Sequence, residues 1–312
     1  MDTNSATTGT RRVEWQGHRG LPVDAREPFE VIDCEVCGFK HVTPLPTREE
    51  LAEIYRHEYY DREKPLYLER AEEDEAWWRR LFGQRLDQMA RFSMHARRRV
   101  LDVGTGPGLF LVEAQARGWE ALGLEPSNAA RAYAQSRGCH VLPDFLGEAG
   151  LDDLGTFSAV HLSEVLEHVP DPFTELRRIH GLLDADGVLC VSVPNDYNPV
   201  QELLALDGKD PWWVAPPHHL NYFDFDSLER LFERAGFRVL TRETTFPIDF
   251  FLLMGEDYVG SDALGRRCHA MRMRFESSFQ RHGEQAKLAR LYDSFAELGF
   301  GRHAIVYGRK ED

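Results

Sequence analysis

The segment RRVLDVGTGPGLFLVEAQARGWEALGLE, residues 98–125, decides the fold. It opens with a short apolar run that predicts a buried strand, and three closely spaced glycines follow at Gly104, Gly106 and Gly108. A helical stretch and a second apolar run then lead to Glu125. A strand, a glycine-rich turn, a helix and a strand that ends on an acid form a βαβ unit of the kind that binds nucleosides. The segment therefore predicts an α/β fold with a nucleoside site.

The spacing of the glycines indicates which nucleoside is bound. A dinucleotide-binding turn reads G-x-G-x-x-G, but Leu109 occupies the place of that last glycine here. Asp102 lies two residues before the first glycine, where a carboxylate suits an ammonium and sulfonium ligand better than a pyrophosphate. Glu125 can accept hydrogen bonds from both ribose hydroxyls. These features disfavour a dehydrogenase.

These residues resemble the first motif of the class I S-adenosylmethionine-dependent methyltransferases, hh-D/E-h-G-x-G-x-G. The resemblance covers roughly residues 98–246 and returns near the C-terminus. It implies a Rossmann-like sheet of seven strands with helices on both faces, whose last strand runs antiparallel, and S-adenosylmethionine as cofactor. The cofactor-binding residues that it implies are Asp102, Gly104, Gly106, Gly108, Glu125, Pro126, Asp144, Phe145, Leu162 and Ser163.

Composition narrows the class of protein. A net charge of −15 repels phosphate backbones, so a nucleic-acid partner is not expected. No apolar run reaches membrane-spanning length, and the N-terminus lacks the apolar core of a signal peptide. Five cysteines, an odd number, fit a reducing compartment better than a disulfide framework. We expect a cytoplasmic protein without a membrane partner.

Apolar periodicity outlines the order of elements along the chain. Core strands are predicted near 99–103, 120–125, 139–142, 157–162, 187–194, 237–246 and 302–310. The predicted organisation is a flexible segment at 1–28, an N-terminal knuckle and helical cap at 29–97, a cofactor-binding core at 98–255, a helical insertion at 256–300, and the last core strand with the C-terminus at 301–312. The insertion is interpreted either as a lid over the cleft or as the surface of a homodimer.

The motif HLSEVLEHVPDP, residues 161–172, resembles a signature of the ubiquinone-biosynthesis type of O-methyltransferase. The spacing of Glu164, Glu167 and His168 predicts that all three project from one side of a helical turn. In the small-RNA 2′-O-methyltransferases a similar set binds a divalent metal, which His218 or His219 would complete here. The alternative is that His168 packs structurally under the cleft.

The segment DPWWVAPPHHLNYFDFDSLERLFERAGF, residues 210–237, resembles small-molecule methyltransferases, including sugar C-methyltransferases. That resemblance implies His219 as general base, and Tyr222 is a candidate for positioning the substrate. Histidine titrates near neutral pH and suits proton removal. The alternative is that the histidine pair bonds the backbone. Tyr59 and Tyr60 occupy a place where relatives approach the cleft.

Cys34 and Cys37 have the C-x2-C spacing of half a zinc knuckle. Relatives carry a second C-x2-C upstream, and no cysteine precedes Cys34 here. His18 and His41 offer the two further ligands of a tetrahedral site. A structural zinc and a metal-free knuckle both remain open.

Together these features predict a methyltransferase that acts on the oxygen or carbon of a small molecule, such as a sugar nucleotide or a phenolic metabolite. A metal-assisted RNA 2′-O-methyltransferase is an alternative that the acidic charge disfavours. A protein that binds S-adenosylmethionine without catalysis is the other alternative.

Overall fold

The computed structural model describes residues 11–54, 67–93, 97–147, 150 and 155–311. The strands are β1 (Val13–Trp15), β2 (His18–Arg26), β3 (Phe29–Cys34), β4 (Lys40–Thr43), β5 (Arg99–Val103), β6 (Glu120–Leu124), β7 (His140–Leu142), β8 (Phe157–Ser163), β9 (Leu183–Pro194), β10 (Asn221–Tyr222), β11 (Phe237–Glu243) and β12 (His303–Lys310). The helices are α1 (Arg48–Glu53), α2 (Tyr67–Glu73), α3 (Glu75–Phe92), α4 (Leu109–Ala116), α5 (Asn128–Ser136), α6 (Pro172–Leu182), α7 (Pro199–Leu206), α8 (Phe225–Arg234), α9 (Phe250–Leu253), α10 (Asp262–Arg281) and α11 (Gln285–Glu297). Tyr59 and Tyr60 lie outside the described residues.

A seven-stranded sheet in the order β11-β12-β9-β8-β5-β6-β7 forms the core. The five strands from β9 to β7 in this order pair in parallel, whereas β12 is antiparallel to both β9 and β11. Strands buried on both faces are almost continuously apolar, which is why they could be recognised in the sequence. The expected α/β fold with its antiparallel last strand is confirmed.

Polar residues at the helix ends set where the core helices begin. Asp171 caps α6 by accepting from the Thr174 amide, with Pro172 as the first helical residue, as the sequence predicts. Asp224 and Ser227 form a capping box that begins α8. The start of each of these two helices is therefore fixed by an aspartate of the loop that precedes it.

A second, antiparallel sheet of five strands, in the order β1-β2-β3-β4-β10, carries the knuckle. The prediction of a flexible segment at 1–28 is wrong for the residues of β1 and β2, which pair with each other and with β3. Backbone pairing holds them in place, because β2 buries only Gly20 and so lacks an apolar pattern. Strand β10, from the loop that carries His219, pairs with β4 and joins the knuckle to the core.

The insertion before the last strand forms α10 and α11, as predicted, and α10 packs against α2 and α3. The Trp77 indole donates to Glu276 (2.6 Å), and Arg80 adds an ion pair to the same carboxylate (3.0 Å). Asp74 accepts from His269 (2.8 Å). The inner side of the insertion is therefore already occupied by the N-terminal helices. None of the helices in the described ranges has the length and apolar character needed to cross a membrane.

Candidate active site

The glycine loop between β5 and α4 is a tight turn held by β6. The amides of Gly104 and Thr105 both donate to the Leu124 carbonyl, at 2.9 and 3.0 Å. Gly104 has a φ of +70°, and a Cβ there would lie 2.5 Å from the Val165 side chain. Only glycine fits this combination of left-handed backbone and close approach. The loop thus places its backbone at the carboxyl edge of the sheet, where open α/β sheets bind ligands.

Glu125, immediately after β6, turns its carboxylate into this loop. Its oxygens accept from the amides of Gly106 (2.8 Å) and Ser127 (2.9 Å). Burial raises the pKa of Glu125 to about 7, although the two amide hydrogen bonds oppose the rise. The carboxylate and the loop therefore form one polar unit.

Asp102 directs its carboxylate to partners within the chain. One oxygen accepts from the Thr105 hydroxyl (2.5 Å) and the other lies 2.7 Å from Nδ1 of His161. Asp102 was expected to bind the amino group of the ligand, but both of its carboxylate oxygens are already hydrogen-bonded within the chain. In this structure Asp102 stabilises the glycine loop from below.

His161 and Arg85 extend this hydrogen-bonded line, and sequence reasoning missed both. Burial lowers the pKa of His161, and a neutral ring that donates from Nδ1 to Asp102 can accept at Nε2 from Arg85, 3.1 Å away. Arg85, on α3, also donates to the hydroxyls of Ser163 and Ser192, both at 3.0 Å. An arginine on the inward face of a predicted helix was the available signal. Ser163, expected to line the methionine arm of the cofactor, is therefore held by Arg85.

The other predicted cofactor residues converge on the same edge, with one exception. Pro126 follows β6, and Asp144 and Phe145 follow β7, all partly exposed. Leu162 packs in the hydrophobic core beneath the cleft, because alternate residues of a central strand face opposite sides of the sheet. Its expected place along the methionine arm is not supported by this burial.

The motif after β8 does not place its two glutamates and histidine on one face. Glu164 has a left-handed φ of +56° and its carboxylate pairs with His303 of β12 (3.2 Å). A short 3₁₀ turn, Leu166–His168, follows instead of an α-helical turn. Ligand-type atoms of Glu167, His168 and His219 lie within 4.8 Å of one another. The prediction that Glu164, Glu167 and His168 share one face is wrong. The three side chains that do converge are those of Glu167, His168 and His219.

Tyr222 and His168 both hold the loop that carries His219. The Tyr222 hydroxyl donates to the His219 carbonyl (3.1 Å) and accepts from the Ala215 amide (3.3 Å), and the residue is buried. Nδ1 of His168 donates to the His218 carbonyl (2.6 Å). Tyr222 was expected to position the substrate, but its hydroxyl is occupied by the backbone. It therefore positions the His219 loop.

The knuckle brings the four predicted zinc ligands together. The ligand atoms of His18, Cys34, Cys37 and His41 lie within 4.8 Å of one another. The Cys37 amide donates to the Cys34 sulfur (3.4 Å), and Nδ1 of His18 lies 3.2 Å from the Cys37 sulfur. His41 binds the Val42 carbonyl through Nδ1 (2.9 Å), and its buried Nε2 has no hydrogen-bond partner among the described residues. Two sulfurs and two imidazole nitrogens match the donor set of structural zinc.

Comparison with known proteins identifies the family to which the chain belongs. A family model described as a methyltransferase domain matches residues 73–242. The chain belongs to this methyltransferase domain family. The methyltransferase is similar to the ubiquinone biosynthesis O-methyltransferase of Ruegeria pomeroyi, at 33% identity over 159 residues, which cover 46% of this chain and 62% of that protein.

It is also similar to the trans-aconitate 2-methyltransferase of Methylobacterium radiotolerans, at 32% identity over 137 residues, which cover 41% of this chain and 50% of that protein. The matched region thus spans between half and two thirds of these relatives. Among solved structures, the magnesium protoporphyrin IX methyltransferase from Synechocystis PCC 6803 with bound SAH aligns with a TM-score of 0.52 and 12% identity, over 85% of this chain and 100% of that one. This likeness concerns the fold alone.

Proposed function

We propose that this protein binds S-adenosylmethionine and transfers its methyl group to a hydroxyl or carbon of a small molecule. The arrangement of Glu125 against the glycine loop carries the proposal. An ionised carboxylate only accepts hydrogen bonds, and the two vicinal hydroxyls of a ribose are donors. Bound there, S-adenosylmethionine would supply a methyl group on a positively charged sulfur, open to in-line displacement. The chain's contribution is to align the reactants and to take up a proton.

Calorimetric titration with S-adenosylmethionine and with adenosylhomocysteine tests the cofactor. Glu125→Ala should weaken binding by about 10- to 150-fold, because hydrogen bonds to a charged group contribute roughly 1.5–3 kcal/mol. Glu120→Ala, an exposed residue at the opposite end of the same strand, is the control and should bind normally. A wild-type protein that bound neither ligand, or that bound NAD more tightly, would refute the proposal.

His219 is the proposed general base. Tyr222 holds its loop, and the ring of His168 lies 5.1 Å from its own, between centroids. His219→Ala should bind cofactor normally and lose most methyl transfer, while His140→Ala, an exposed histidine on β7, should keep it. Full turnover by His219→Ala would show that another group takes the proton.

We further propose that His18, Cys34, Cys37 and His41 hold one structural zinc ion. The buried, unsatisfied Nε2 of His41 supports this, because such an atom is costly unless it binds a donor or a metal. Elemental analysis of purified protein should find about one equivalent of zinc, and His18→Ala should lower that content. A cavity of about 200 Å³ adjoins His18, Cys37 and His41. Zinc content near zero would exclude the site.

The net charge of the chain and the packing of the helical insertion indicate which partners the protein binds. A net charge of −15 favours a small-molecule acceptor over a nucleic acid. The contacts of α10 with α3 join the insertion to the N-terminal helices of the same chain, which supports a lid built together with those helices rather than the surface of a homodimer. Sedimentation of the purified protein measures its oligomeric state, and a stable dimer that dissociates when exposed residues of α10 and α11 are substituted would contradict the lid.

A further inference from the structure

A buried carboxylate that makes no hydrogen bond of normal geometry with the described residues follows β9, at the same sheet edge as the proposed cofactor site. Asp196, two residues beyond the end of β9, is 2% exposed, and neither of its oxygens has a hydrogen-bond partner among the described residues. Within the same ranges the side-chain amide of Gln201, 0% exposed, also lacks a partner at both atoms. Burial raises the pKa of Asp196 to about 7, and a side-chain contact with Gln201 lowers it only slightly, because no atom pair between the two side chains has normal hydrogen-bond geometry. Buried polar groups of this kind cost stability, and in native proteins they are uncommon.

The backbone fixes where Asp196 lies. Its amide donates to the Phe223 carbonyl (2.8 Å), and the preceding amide, of Asn195, donates to the Arg302 carbonyl (3.0 Å). The Asn195 side chain donates to the carbonyls of Gly299 (2.9 Å) and Gly301 (3.2 Å). The loop after β9 is thus tied to the chain that enters β12. The unsatisfied carboxylate is held in place by a well-bonded backbone.

Topology puts this loop next to the glycine loop. In the sheet β9 is the second strand from β5, with β8 between them. At roughly 4.8 Å per strand, the ends of β9 and β5 are about 10 Å apart. Strand β12 begins at the same edge, since His303 pairs with Pro194. Asp196 and Arg302 therefore flank the edge at which the methyl acceptor must approach.

The charges around Asp196 indicate what it can bind. Arg302 lies within electrostatic range of three acids, Asp249, Asp196 and Glu164. The carboxylate of Asp249 is already satisfied by the Tyr258 hydroxyl (2.6 Å) and the Asn198 amide (3.3 Å). A negatively charged group would be repelled here. A hydroxyl or an amine would supply the missing donor.

We propose that Asp196 binds the methyl acceptor by accepting a hydrogen bond from its hydroxyl, with Gln201 and Arg302 as polar neighbours. This inference rests on the proposed methyl transfer and deepens it. We take the hydroxyl held by Asp196 to be the group methylated or to lie next to the methylated carbon. The product is then an ether or a C-methyl compound, and not a methyl ester.

The test uses the whole protein, tritiated S-adenosylmethionine and the dialysable metabolites of a bacterial extract as acceptor source. Wild type should transfer label to a product that is stable to alkali, whereas a methyl ester would release labelled methanol. Asp196→Asn should lower the transfer rate by about tenfold, because the neutral amide oxygen that remains accepts a hydrogen bond about half as strong as the carboxylate does. Asp207→Asn, an exposed aspartate at the end of α7, is the matched control.

Cofactor binding and thermal stability distinguish an acceptor-binding role of Asp196 from a purely structural one. Asp196→Asn should bind adenosylhomocysteine as wild type does, and its melting midpoint at pH 8 should be unchanged or raised. A fall of more than about 4 °C would identify a structural ion pair with Arg302 and overturn the inference. An alkali-labile product, or a transfer rate within about threefold of wild type, would also overturn it.

The behaviour of wild type distinguishes a failure of this inference from a failure of the function on which it rests. Failure of wild type to bind adenosylhomocysteine would refute the proposed function itself. Binding without any transfer would refute methyl transfer and, with it, this role of Asp196. Transfer that proceeds undiminished in Asp196→Asn would refute the inference alone.

Discussion

Replacing Gly108 with alanine should destabilise the protein more than the same change at Gly118. The two glycines have almost the same backbone, with φ of +79° and +78°. They differ in what surrounds them. A Cβ on Gly108 would lie 2.8 Å from the Cβ of Ala134 and 3.1 Å from the Cys139 sulfur, whereas nothing lies within 4 Å at Gly118.

The structure allows the two costs to be separated. A left-handed conformation costs a residue other than glycine roughly 1–2 kcal/mol, and both variants lose this amount. Overpacking a buried site adds about 1–3 kcal/mol, and only Gly108→Ala incurs it. The nearest neighbour of Gly108 is the Cβ of Ala134, which is attached directly to the backbone and cannot rotate out of the way. We therefore expect Gly108→Ala to lose about 2–5 kcal/mol and Gly118→Ala about 1–2 kcal/mol.

Urea unfolding followed by circular dichroism measures both variants against wild type. The free energies of unfolding should differ between the variants by about 1–3 kcal/mol, at equal urea dependence. A difference below about 0.5 kcal/mol would mean that α5 moves away freely, and the reasoning from close packing would fail. The result bears on function, because it separates the packing role of Gly108 from contact with a ligand.

Two further predictions concern buried acids. Burial raises the pKa of Glu125 from 4.5 to about 7, so the stability that its protonated form contributes is complete below pH 4.5 and is lost as pH rises to about 7. In urea titrations at several pH values, Glu125→Gln should reduce the fall in the free energy of unfolding by up to about 3 kcal/mol. Glu120→Gln should leave that fall unchanged. Burial also raises the pKa of Asp196 to about 7, so this group should account for pH dependence of stability that remains in Glu125→Gln. Trp77→Phe removes the indole donor to the buried Glu276 and should lower stability by about 1–3 kcal/mol. Trp78→Phe is the control, and an equal loss in both variants would contradict the role of that hydrogen bond.

The core could be predicted from the sequence because its signals are local. Buried parallel strands are apolar runs, the glycine loop has a fixed spacing, and Asp171 with Pro172 marks the start of α6. Cys34 and Cys37, two of the four proposed zinc ligands, have a similar local signal in their C-x2-C spacing. These features depend on residues that are close in the chain.

The features that were missed depend on distant residues or on a single backbone angle. Strand β2 has no apolar alternation, so nothing in its own sequence shows that it pairs with β3. The left-handed φ of Glu164 turns its carboxylate to His303, and no helical spacing rule predicts that. The unsatisfied state of Asp196 depends on loops that meet only after β9 and β12 pair. Tertiary context decided each of these cases.

The role of Asp102 shows how the two halves of the proposed site are coupled. From the sequence, its carboxylate was assigned to the cofactor's amino group. In the structure it begins a buried line that passes through His161 to Arg85, and Arg85 bonds the hydroxyls of Ser163 and Ser192. Those hydroxyls belong to β8 and β9, whose ends lead to the acceptor edge. Because one guanidinium joins the glycine loop to both strands, we expect a change at Arg85 to weaken cofactor and acceptor binding together, and a change at Asp196 to leave the glycine loop intact.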